Sequence, residues 1–336
     1  MTANDAYAKA GVDQGAADSA VAGLVRALGA IKLDRPSLQV PLPGHYASVI
    51  RIDERTGIAL STDGVGTKLV VAEELGRFDT VGIDCVAMNV NDVICVGAEP
   101  LAMLDYIAVP SADPGVCEQI GVGLARGAEL AGVEIPGGEL AQLGDMVRGF
   151  DVAGACFGTV ALDAVVDGAA VRPGDPVIGL PSSGIHSNGY TLARSALEGL
   201  PLDGDPDGRL GRPLGDVLLE PTEIYVKPVL ELLRSAVEVR GLAHITSGGL
   251  GNLNRLAAEV GYEIDDPLPA PPVFELIRER AGVGDEEMHD VFNMGCGFCC
   301  VVAAGDEEAA VELLRRHYPA ARRIGRTVEG STVRLR

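Results

Sequence analysis

The segment "TVGIDCVAMNVNDVICVGAEP" (residues 80–100) gives the clearest indication of the fold. At 100° per residue, residues 80–96 place their large apolar side chains within one arc of about 120°, as in an amphipathic helix. These apolar residues are Ile83, Val86, Ala87, Val90, Val93 and Ile94. Gly97 follows at the position where the end of a helix favours positive φ. We therefore predict a helix over residues 80–96.

The opposite side of this helix is polar and carries no Lys or Arg. It consists of Asp84, Asn89, Asn91 and Asp92. One interpretation is a surface helix whose polar face meets water. The other is a face used for metal and phosphate chemistry, because carboxylates without a neighbouring cation suit Mg²⁺. The spacing alone leaves both interpretations open.

The composition of the chain changes near residues 163–176, "DAVVDGAAVRPGDP". Before this break we predict strands over 58–62, 105–109 and 152–160, mixed with helices. After it, short apolar strands alternate with periodic helical segments. The chain of 336 residues also exceeds what one hydrophobic core usually supports. We predict an α/β protein of two domains, residues 1–166 and 167–336.

The net charge of −21 argues against binding to nucleic acid, because neutralising phosphates requires clustered Lys and Arg. A phosphorylated substrate would need a local cation here, and a bound metal ion is the obvious candidate. The N-terminal "MTANDAYAKAG" is too polar for a signal peptide, and no apolar run approaches the ~18 residues of a membrane span. We expect a cytoplasmic protein with no membrane partner.

The seven cysteines lack the regular spacing of a disulfide framework. The segment "CGFCC" (296–300) has one C-x-x-C pair, without a second pair or a nearby His, so it does not indicate a zinc site. We predict buried thiols in an apolar strand.

The loop "STDGVGTKL" (61–69) matches neither a Walker loop nor a dinucleotide fingerprint, although it has the residue types of a phosphate site. Its Asp63 would repel a phosphate that it touched directly. It can instead hold Mg²⁺, which bridges phosphate oxygens, while backbone N–H groups and Lys68 contact the rest.

Two further glycine-rich loops precede predicted helices, in "SSGIHSNGYTLARSAL" (182–197) and "HITSGGLGNLNRLAAEV" (244–260). Ser187 can cap the first of these helices, and free N–H groups at a helix start bind anions. A cap and a turn without any ligand is the alternative for each loop. In "IPGGELAQLGD" (135–145), Glu139 follows a Gly pair, as in a turn where the backbone approaches a ligand.

These motifs occur in an order that resembles one family. "DVICVGAEP" (92–100) spells D-x4-G-A-x-P, and "STDGVGTKL", "PGGE", "SSGIHSNGY" and "HITSGG" accompany it. The chain resembles the phosphoribosylformylglycinamidine cyclo-ligases, from "YAKAGVD" (7–13) to "FNMGCG" (292–297). The segments "GGELAQLGD" and "PGHYAS" (43–48) depart from the usual family pattern, which affects the expected nucleotide contacts more than the expected reaction.

The resemblance implies two α/β domains, the second with a mixed sheet flanked by helices. It also implies a homodimer in which the N-terminal domains form a shared β-barrel. The implied reaction converts formylglycinamidine ribonucleotide and ATP, with Mg²⁺, into aminoimidazole ribonucleotide, ADP and phosphate.

The resemblance and the chemistry together assign candidate site residues. His186 and Lys68 are the catalytic candidates, and the metal candidates are Asp63, Asp92 and Glu139. Candidates for ATP or phosphate binding are Gly64, Gly66, Thr67, Lys68, Asn91, Gly44, His45 and Tyr46. Candidates for substrate binding are Ser182, Ser183, Gly184, Ser187, Asn188, Thr246, Gly248 and Gly249.

Two classes of alternative are weighed against this assignment: another phosphotransferase of the superfamily and a non-catalytic subunit. Another ATP-dependent phosphotransferase of the same superfamily could resemble thiamine-monophosphate kinase, but that enzyme usually has "GGD" where this chain has "GGE". A selenophosphate synthetase needs a reactive Cys near the N-terminus, whereas the first Cys here is Cys85. A non-catalytic nucleotide-binding subunit would have lost residues such as Asp63, Asp92 and His186, which are present.

Overall fold

The computed structural model describes residues 14–336, in which two mixed six-stranded sheets are each flanked by helices. The first sheet has the order β1-β2-β3-β6-β4-β5, with only β4 and β5 parallel. Its strands are β1 (Gln39–Val40), β2 (Ser48–Arg51), β3 (Thr56–Gly64), β4 (Glu99–Val109), β5 (Glu134–Gln142) and β6 (Asp151–Ala161). The predicted strands over 58–62, 105–109 and 152–160 lie within β3, β4 and β6.

Helix α3 lies across one face of this sheet and packs closely on α4. The helices of this half are α1 (Gln14–Leu28), α2 (Lys68–Leu75), α3 (Val81–Ile94) and α4 (Pro114–Ala131). A Cβ on Gly82 would lie 2.2 Å from the backbone nitrogen of Leu124, so only glycine permits this helix contact. The predicted helix over 80–96 is confirmed, and Gly97 has a φ of 76°.

The other face of the first sheet carries several exposed apolar side chains. Leu104 is 41% exposed, Tyr106 42% and Phe157 37%. Their strands are neighbours in the sheet, so these side chains form a continuous apolar surface, which we call the open face.

The second sheet has the order β12-β9-β11-β7-β10-β8, with only β9 and β12 parallel. Its strands are β7 (Pro176–Pro181), β8 (Val239–His244), β9 (Gly261–Ile264), β10 (Cys296–Val302), β11 (Arg322–Val328) and β12 (Val333–Leu335). The flanking helices are α5 (Tyr190–Leu197), α6 (Leu214–Leu218), α7 (Val226–Leu233), α8 (Pro272–Ala281), α9 (Asp285–Val291) and α10 (Glu307–Arg315). All of β10 is buried, which confirms the predicted buried thiols of "CGFCC".

The first sheet ends at Ala161 and the second begins at Pro176. The boundary predicted at 166/167 lies between these sheets and stays a prediction. The motif "YAKAGVD" (7–13) lies outside the described residues. Within residues 14–336, each helix is too short or too polar to cross a bilayer.

The polar face of α3 is buried against the second half of the chain. Asn91 accepts a hydrogen bond from the backbone N–H of Tyr225 at 3.0 Å and donates one to the carbonyl of Glu223 at 2.8 Å. Asp84 accepts from both the N–H and the hydroxyl of Thr222 at 2.7 Å. The surface-helix interpretation was therefore wrong, because the segment 220–225 replaces water as the hydrogen-bonding partner of this face.

Candidate active site

Two carboxylates, of Asp63 on β3 and Asp92 on α3, lie close enough to interact electrostatically. Asn89 fixes Asp63 by accepting from its N–H at 3.0 Å and donating to its carbonyl at 3.1 Å. Ser61, two residues earlier on the same face of β3, lies 3.5 Å from Asp92 Oδ2. Burial raises the pKa of Asp63, and the negative charge of Asp92 raises it further. Such a pair of mutually repelling carboxylates suits a divalent cation.

His244, at the end of β8, holds one oxygen of Asp92. Its Nδ1 lies 2.9 Å from Asp92 Oδ1, and its Nε2 lies 3.5 Å from the amide nitrogen of Asn91. The Asn91 amide nitrogen can only donate, so Nε2 accepts and the Nδ1–H donates to Asp92. His244 is fully buried and contacts Asp92 only at Oδ1, while the Oδ2 lies towards Ser61. Sequence reasoning missed His244, since nothing in its spacing relates it to a residue 152 positions away.

A pocket of about 440 Å³ opens beside this pair and is lined by His45, Tyr46, Asp92 and Phe157, among others. Both ring nitrogens of His45 are buried without a hydrogen-bond partner among residues 14–336. Burial lowers the pKa of His45 to about 4, so the ring is neutral near pH 7. The Tyr46 hydroxyl donates to the carbonyl of Asn252 at 3.0 Å, which ties the pocket wall to the second half of the chain.

His186 lies in the loop before α5 with a φ of 66°, a left-handed conformation that is rare for a residue with a side chain. Its Nε2 accepts a hydrogen bond from the N–H of Ser183 at 3.2 Å. Its buried Nδ1 has no partner in the described chain. Burial holds the pKa of His186 well below its usual value, with smaller contributions from His244 and Lys68. The ring is therefore neutral, and its proton resides on the unpartnered Nδ1.

Comparisons with known proteins identify the family to which the chain belongs. Residues 44–160 match the family described as "AIR synthase related protein, N-terminal domain", and residues 172–336 match its C-terminal domain. The phosphoribosylformylglycinamidine cyclo-ligase of Methanothermobacter thermautotrophicus is 53% identical over 81% of this chain and 80% of its own. That of Thermococcus kodakarensis is 48% identical over 98% of this chain and 97% of its own. The chain belongs to the phosphoribosylformylglycinamidine cyclo-ligase family.

More distant likeness supports the same fold. A solved structure, "AaThiL complexed with AMPPCP and TMP", aligns with a TM-score of 0.63 at 18% identity, covering 94% of this chain and 92% of that chain. The predicted fold of two α/β units with mixed sheets, implied by the cyclo-ligase resemblance, is thereby confirmed.

Lys68, which we expected to contact phosphate, instead binds groups of the chain itself. Lys68 is fully buried, and its ammonium donates to Asp84 at 2.9 Å, to the carbonyl of His186 at 3.2 Å and to that of Glu220 at 2.6 Å. Burial lowers its pKa, and the Asp84 carboxylate opposes that shift. These contacts use every proton of the ammonium group. The structure therefore contradicts a direct contact between Lys68 and phosphate.

Asn91 is likewise occupied, because both ends of its amide bind the backbone of segment 220–225. Glu139 is exposed and lies in β5 opposite Tyr106, rather than in the predicted turn. Two strands separate β5 from β3, so Glu139 lies roughly 14 Å from Asp63 across the sheet. Glu139 therefore does not join Asp63 and Asp92 within one chain.

The cyclo-ligase motif "SSGIHSNGY" forms a tightly bonded loop. The hydroxyl of Ser182 donates to Asn293 at 2.9 Å, and that of Ser183 to the carbonyl of Pro221 at 2.5 Å. Ser187 binds Asp84 and Thr222 instead of capping a helix. The predicted cap was wrong, since α5 begins at Tyr190 with Gly189 at the capping position. Asn188 has a buried side-chain oxygen without a partner among the described residues.

The motif "HITSGG" leads into a 3-10 helix, Gly249–Arg255, where a helix was predicted within the segment 244–260. Asn252 accepts from the N–H of Thr246 at 2.7 Å, which closes the loop on itself. Gly248 and Gly249 have φ values of 92° and 52°. The backbone is extended at Leu256, so no helix continues beyond Arg255 at this point.

The loop of Asp63 lies against the loop of His186. The Thr67 hydroxyl is 3.4 Å from that of Thr191, and a Cβ on Gly66 would lie 3.9 Å from the carbonyl of Ser187. The structure thus brings together two of the three predicted loops at the junction of the halves, with His244 of the third beside Asp92.

Proposed function

We propose that this chain catalyses the ATP-dependent cyclisation of formylglycinamidine ribonucleotide to aminoimidazole ribonucleotide, with release of ADP and phosphate. The observation that carries the proposal is the Asp63–Asp92 pair beside the pocket of His45 and Tyr46, in a chain of this family.

The chemistry explains why ATP is needed. A formamide oxygen is a poor leaving group, so ring closure by the internal nitrogen stalls in water. Transfer of the γ-phosphoryl group from ATP to that oxygen releases ADP and makes the oxygen part of a good leaving group. The internal nitrogen then attacks the formyl carbon. The carbon–oxygen bond breaks, phosphate leaves with the electron pair, and the nitrogen loses its proton. Positioning and charge neutralisation carry most of the catalysis.

ATP is assigned to the pocket beside Asp92. His45 supplies ring nitrogens without partners among the described residues, Tyr46 forms part of the pocket wall, and Gly44 has a φ of 73° with open space where a Cβ would lie. The AMPPCP complex of the structural neighbour supports a nucleotide site in this fold. The phosphates are assigned to the backbone of Gly64, Gly66 and Thr67.

Asp63 and Asp92 are assigned to Mg²⁺. The fit rests on two neighbouring carboxylates, since the charge of Asp92 adds to burial in raising the pKa of Asp63. Among the described residues, Asp92 Oδ2 has only the Ser61 hydroxyl, at 3.5 Å, as a hydrogen-bond partner. Bound Mg²⁺ would neutralise phosphate charge during transfer. Glu139 is assigned no part in this pair.

His186 is assigned to the formyl oxygen or the transferred phosphate. The neutral ring presents an N–H without a partner, held in place by Ser183 and by its own left-handed backbone. Its role is hydrogen-bond donation or proton transfer at that oxygen. The backbone around Ser182, Ser183, Gly184, Ser187 and Asn188 is assigned to substrate, and the loop of Thr246, Gly248 and Gly249 is assigned as a second anion site.

We also propose a cytoplasmic homodimer. The open face of Leu104, Tyr106 and Phe157 is apolar and exposed, which marks an association surface. Pairing two copies through this face would bury it and bring two first sheets together as a shared barrel.

The test is ADP release from Mg-ATP with and without formylglycinamidine ribonucleotide, with the aminoimidazole quantified. We expect ADP to depend on the ribonucleotide and to equal aminoimidazole in amount. ADP that depends on another acceptor, such as thiamine monophosphate, would favour a phosphotransferase instead. Binding of AMPPCP without turnover of any acceptor would favour a non-catalytic subunit.

A further inference from the structure

Arg255 stacks on Tyr46, which lines the pocket, and nothing in the reaction described above uses this arginine. It ends the 3-10 helix Gly249–Arg255, and its guanidinium carbon lies 4.7 Å from the centre of the Tyr46 ring. Within residues 14–336, no hydrogen bond or ion pair engages this guanidinium. The stacking leaves its edge, which carries all of its N–H donors, free to face a ligand.

The charge of Arg255 reaches the groups that line the pocket. It is among the secondary influences, after burial, that lower the pKa of His45. It also opposes the rise in the pKa of Asp63. Arg255 is therefore close enough to His45 and Asp63 to act on both electrostatically.

The chain is strongly acidic, so an unpaired cation at this place is significant. Lys68, the other cation near the site, has no proton left for a ligand. A planar guanidinium matches two phosphate oxygens at once, which an ammonium group does not. Anionic phosphates beside Asp63 and Asp92 need a cation of this kind in addition to any metal ion.

We propose that Arg255 binds the terminal phosphates of the nucleotide and that Tyr46 holds its guanidinium in position. This inference rests on the proposed ATP site and assigns the phosphate-binding cation to Arg255 in place of Lys68. The rival explanation is a latch, in which the Arg255–Tyr46 contact only fastens residues 44–47 to the second half of the chain.

Binding of AMPPCP, ADP and AMP to the full-length protein distinguishes the two explanations. In Arg255→Gln we expect affinity for AMPPCP to fall at least tenfold, affinity for ADP to fall less, and affinity for AMP to stay within twofold. Arg255→Lys should recover only part of the loss, because lysine keeps the charge but not the planar fork. Arg334→Gln, an exposed arginine on β12, is the matched control and should bind all three nucleotides like the wild type.

A latch would lower affinity for all three nucleotides equally and lower the Tm, and that result would overturn the proposal. Unchanged AMPPCP affinity in Arg255→Gln, or wild-type protein that does not bind AMPPCP, would overturn it as well. These outcomes are separable from failure of the proposed reaction, in which wild-type protein binds AMPPCP normally but forms no aminoimidazole.

Discussion

Asp92 is the residue at which the two halves of the chain meet around the pocket. Its Oδ1 accepts from His244 of the second sheet, and its Oδ2 lies towards Ser61 of the first. One carboxylate thus has a structural oxygen and an oxygen left for a ligand. A substitution that keeps the hydrogen bond of Oδ1 but weakens the ligand-binding capacity of Oδ2 therefore tests the role of Asp92.

In Asp92→Asn, the amide oxygen can still accept from His244, so we expect a Tm close to that of the wild type. The Mg²⁺ concentration needed for half-maximal ADP release should rise at least tenfold, by analogy with the roughly 10- to 100-fold losses seen when metal sites are disturbed. A magnesium titration measures this, with Asp34→Asn on the exposed surface as control. An unchanged magnesium response would remove Asp92 from the metal site.

His186→Asn tests the neutral imidazole without straining the loop, because Asn tolerates the left-handed φ of 66°. We expect kcat to fall by about 10²- to 10⁴-fold, the usual contribution of a positioned acid or base. The thermal transition should remain close to that of the wild type. If only KM for the ribonucleotide rose, His186 would bind substrate and transfer no proton.

The same residue predicts a pH dependence of stability. The pKa of His186 lies well below 6.5 in the folded chain, whereas an unfolded histidine titrates near 6.5. Below that pH the unfolded state binds a proton that the folded state does not, so the free energy of unfolding falls as pH falls, by about 1.4 kcal/mol per unit. Urea unfolding between about pH 5 and 7 should show a shallower slope for His186→Asn. Parallel slopes would contradict a buried neutral ring.

At the scale of elements, Lys68 joins α2 and α3 to the second half of the chain. Its ammonium contacts Asp84 on α3 and carbonyls from the loop of His186 and from segment 220–225. The polar face of α3 is thus a joint between domains. Only Asp92, near the end of that face, opens onto the pocket.

Lys68→Met should destabilise the fold by about 3–5 kcal/mol, because it leaves the Asp84 carboxylate buried without its cation. Lys32→Met, at an exposed position, should change stability by less than about 0.5 kcal/mol. Denaturant unfolding measures both. Full stability of Lys68→Met together with weaker ATP affinity would instead return Lys68 to the phosphate site.

Elements defined by local pattern were predictable from the sequence, whereas elements defined by distant partners were not. The period of residues 80–96 predicted α3, and strand-like segments predicted parts of β3, β4 and β6. The sequence around Ser187 predicted a helix cap, but the Ser187 hydroxyl binds Asp84, 103 residues away in the chain. The Gly pair before Glu139 predicted a turn, yet Gly138 lies in the edge strand β5 opposite Asp105. A Cβ at this position would collide with the Asp105 carboxylate, so the glycine serves the packing of the strands.

The same distinction between local pattern and distant partners applies to the candidate site. Asp63, Asp92 and His186 could be selected as candidates because their motifs contain the residue types that phosphoryl transfer needs, and their roles stay predictions. His244, Asn252 and Arg255 were not assigned, because their partners are brought together only by the packing of the two halves. The assignment of Lys68 to phosphate was wrong for the same reason. The sequence does not show that the folded chain buries this ammonium group among its own acceptors, which leaves it no proton for a ligand.

At the scale of the whole molecule, the open face predicts a dimer. Leu104→Glu places a charge in the middle of that face, and we expect the protein to sediment as a monomer with its fold intact. Val122→Glu, on the exposed side of α4, is the matched control and should leave the assembly unchanged. A wild-type monomer, or a dimer unaffected by Leu104→Glu, would contradict association through this face.

The most direct measurement follows the formyl oxygen itself. Formylglycinamidine ribonucleotide labelled with ¹⁸O at the formyl position is turned over with unlabelled ATP, and the released phosphate is examined by mass spectrometry. Transfer of the γ-phosphoryl group to that oxygen predicts that each phosphate carries the label, in amounts equal to ADP and aminoimidazole. Unlabelled phosphate alongside aminoimidazole would show that the oxygen leaves without being phosphorylated, and would contradict the proposed reaction.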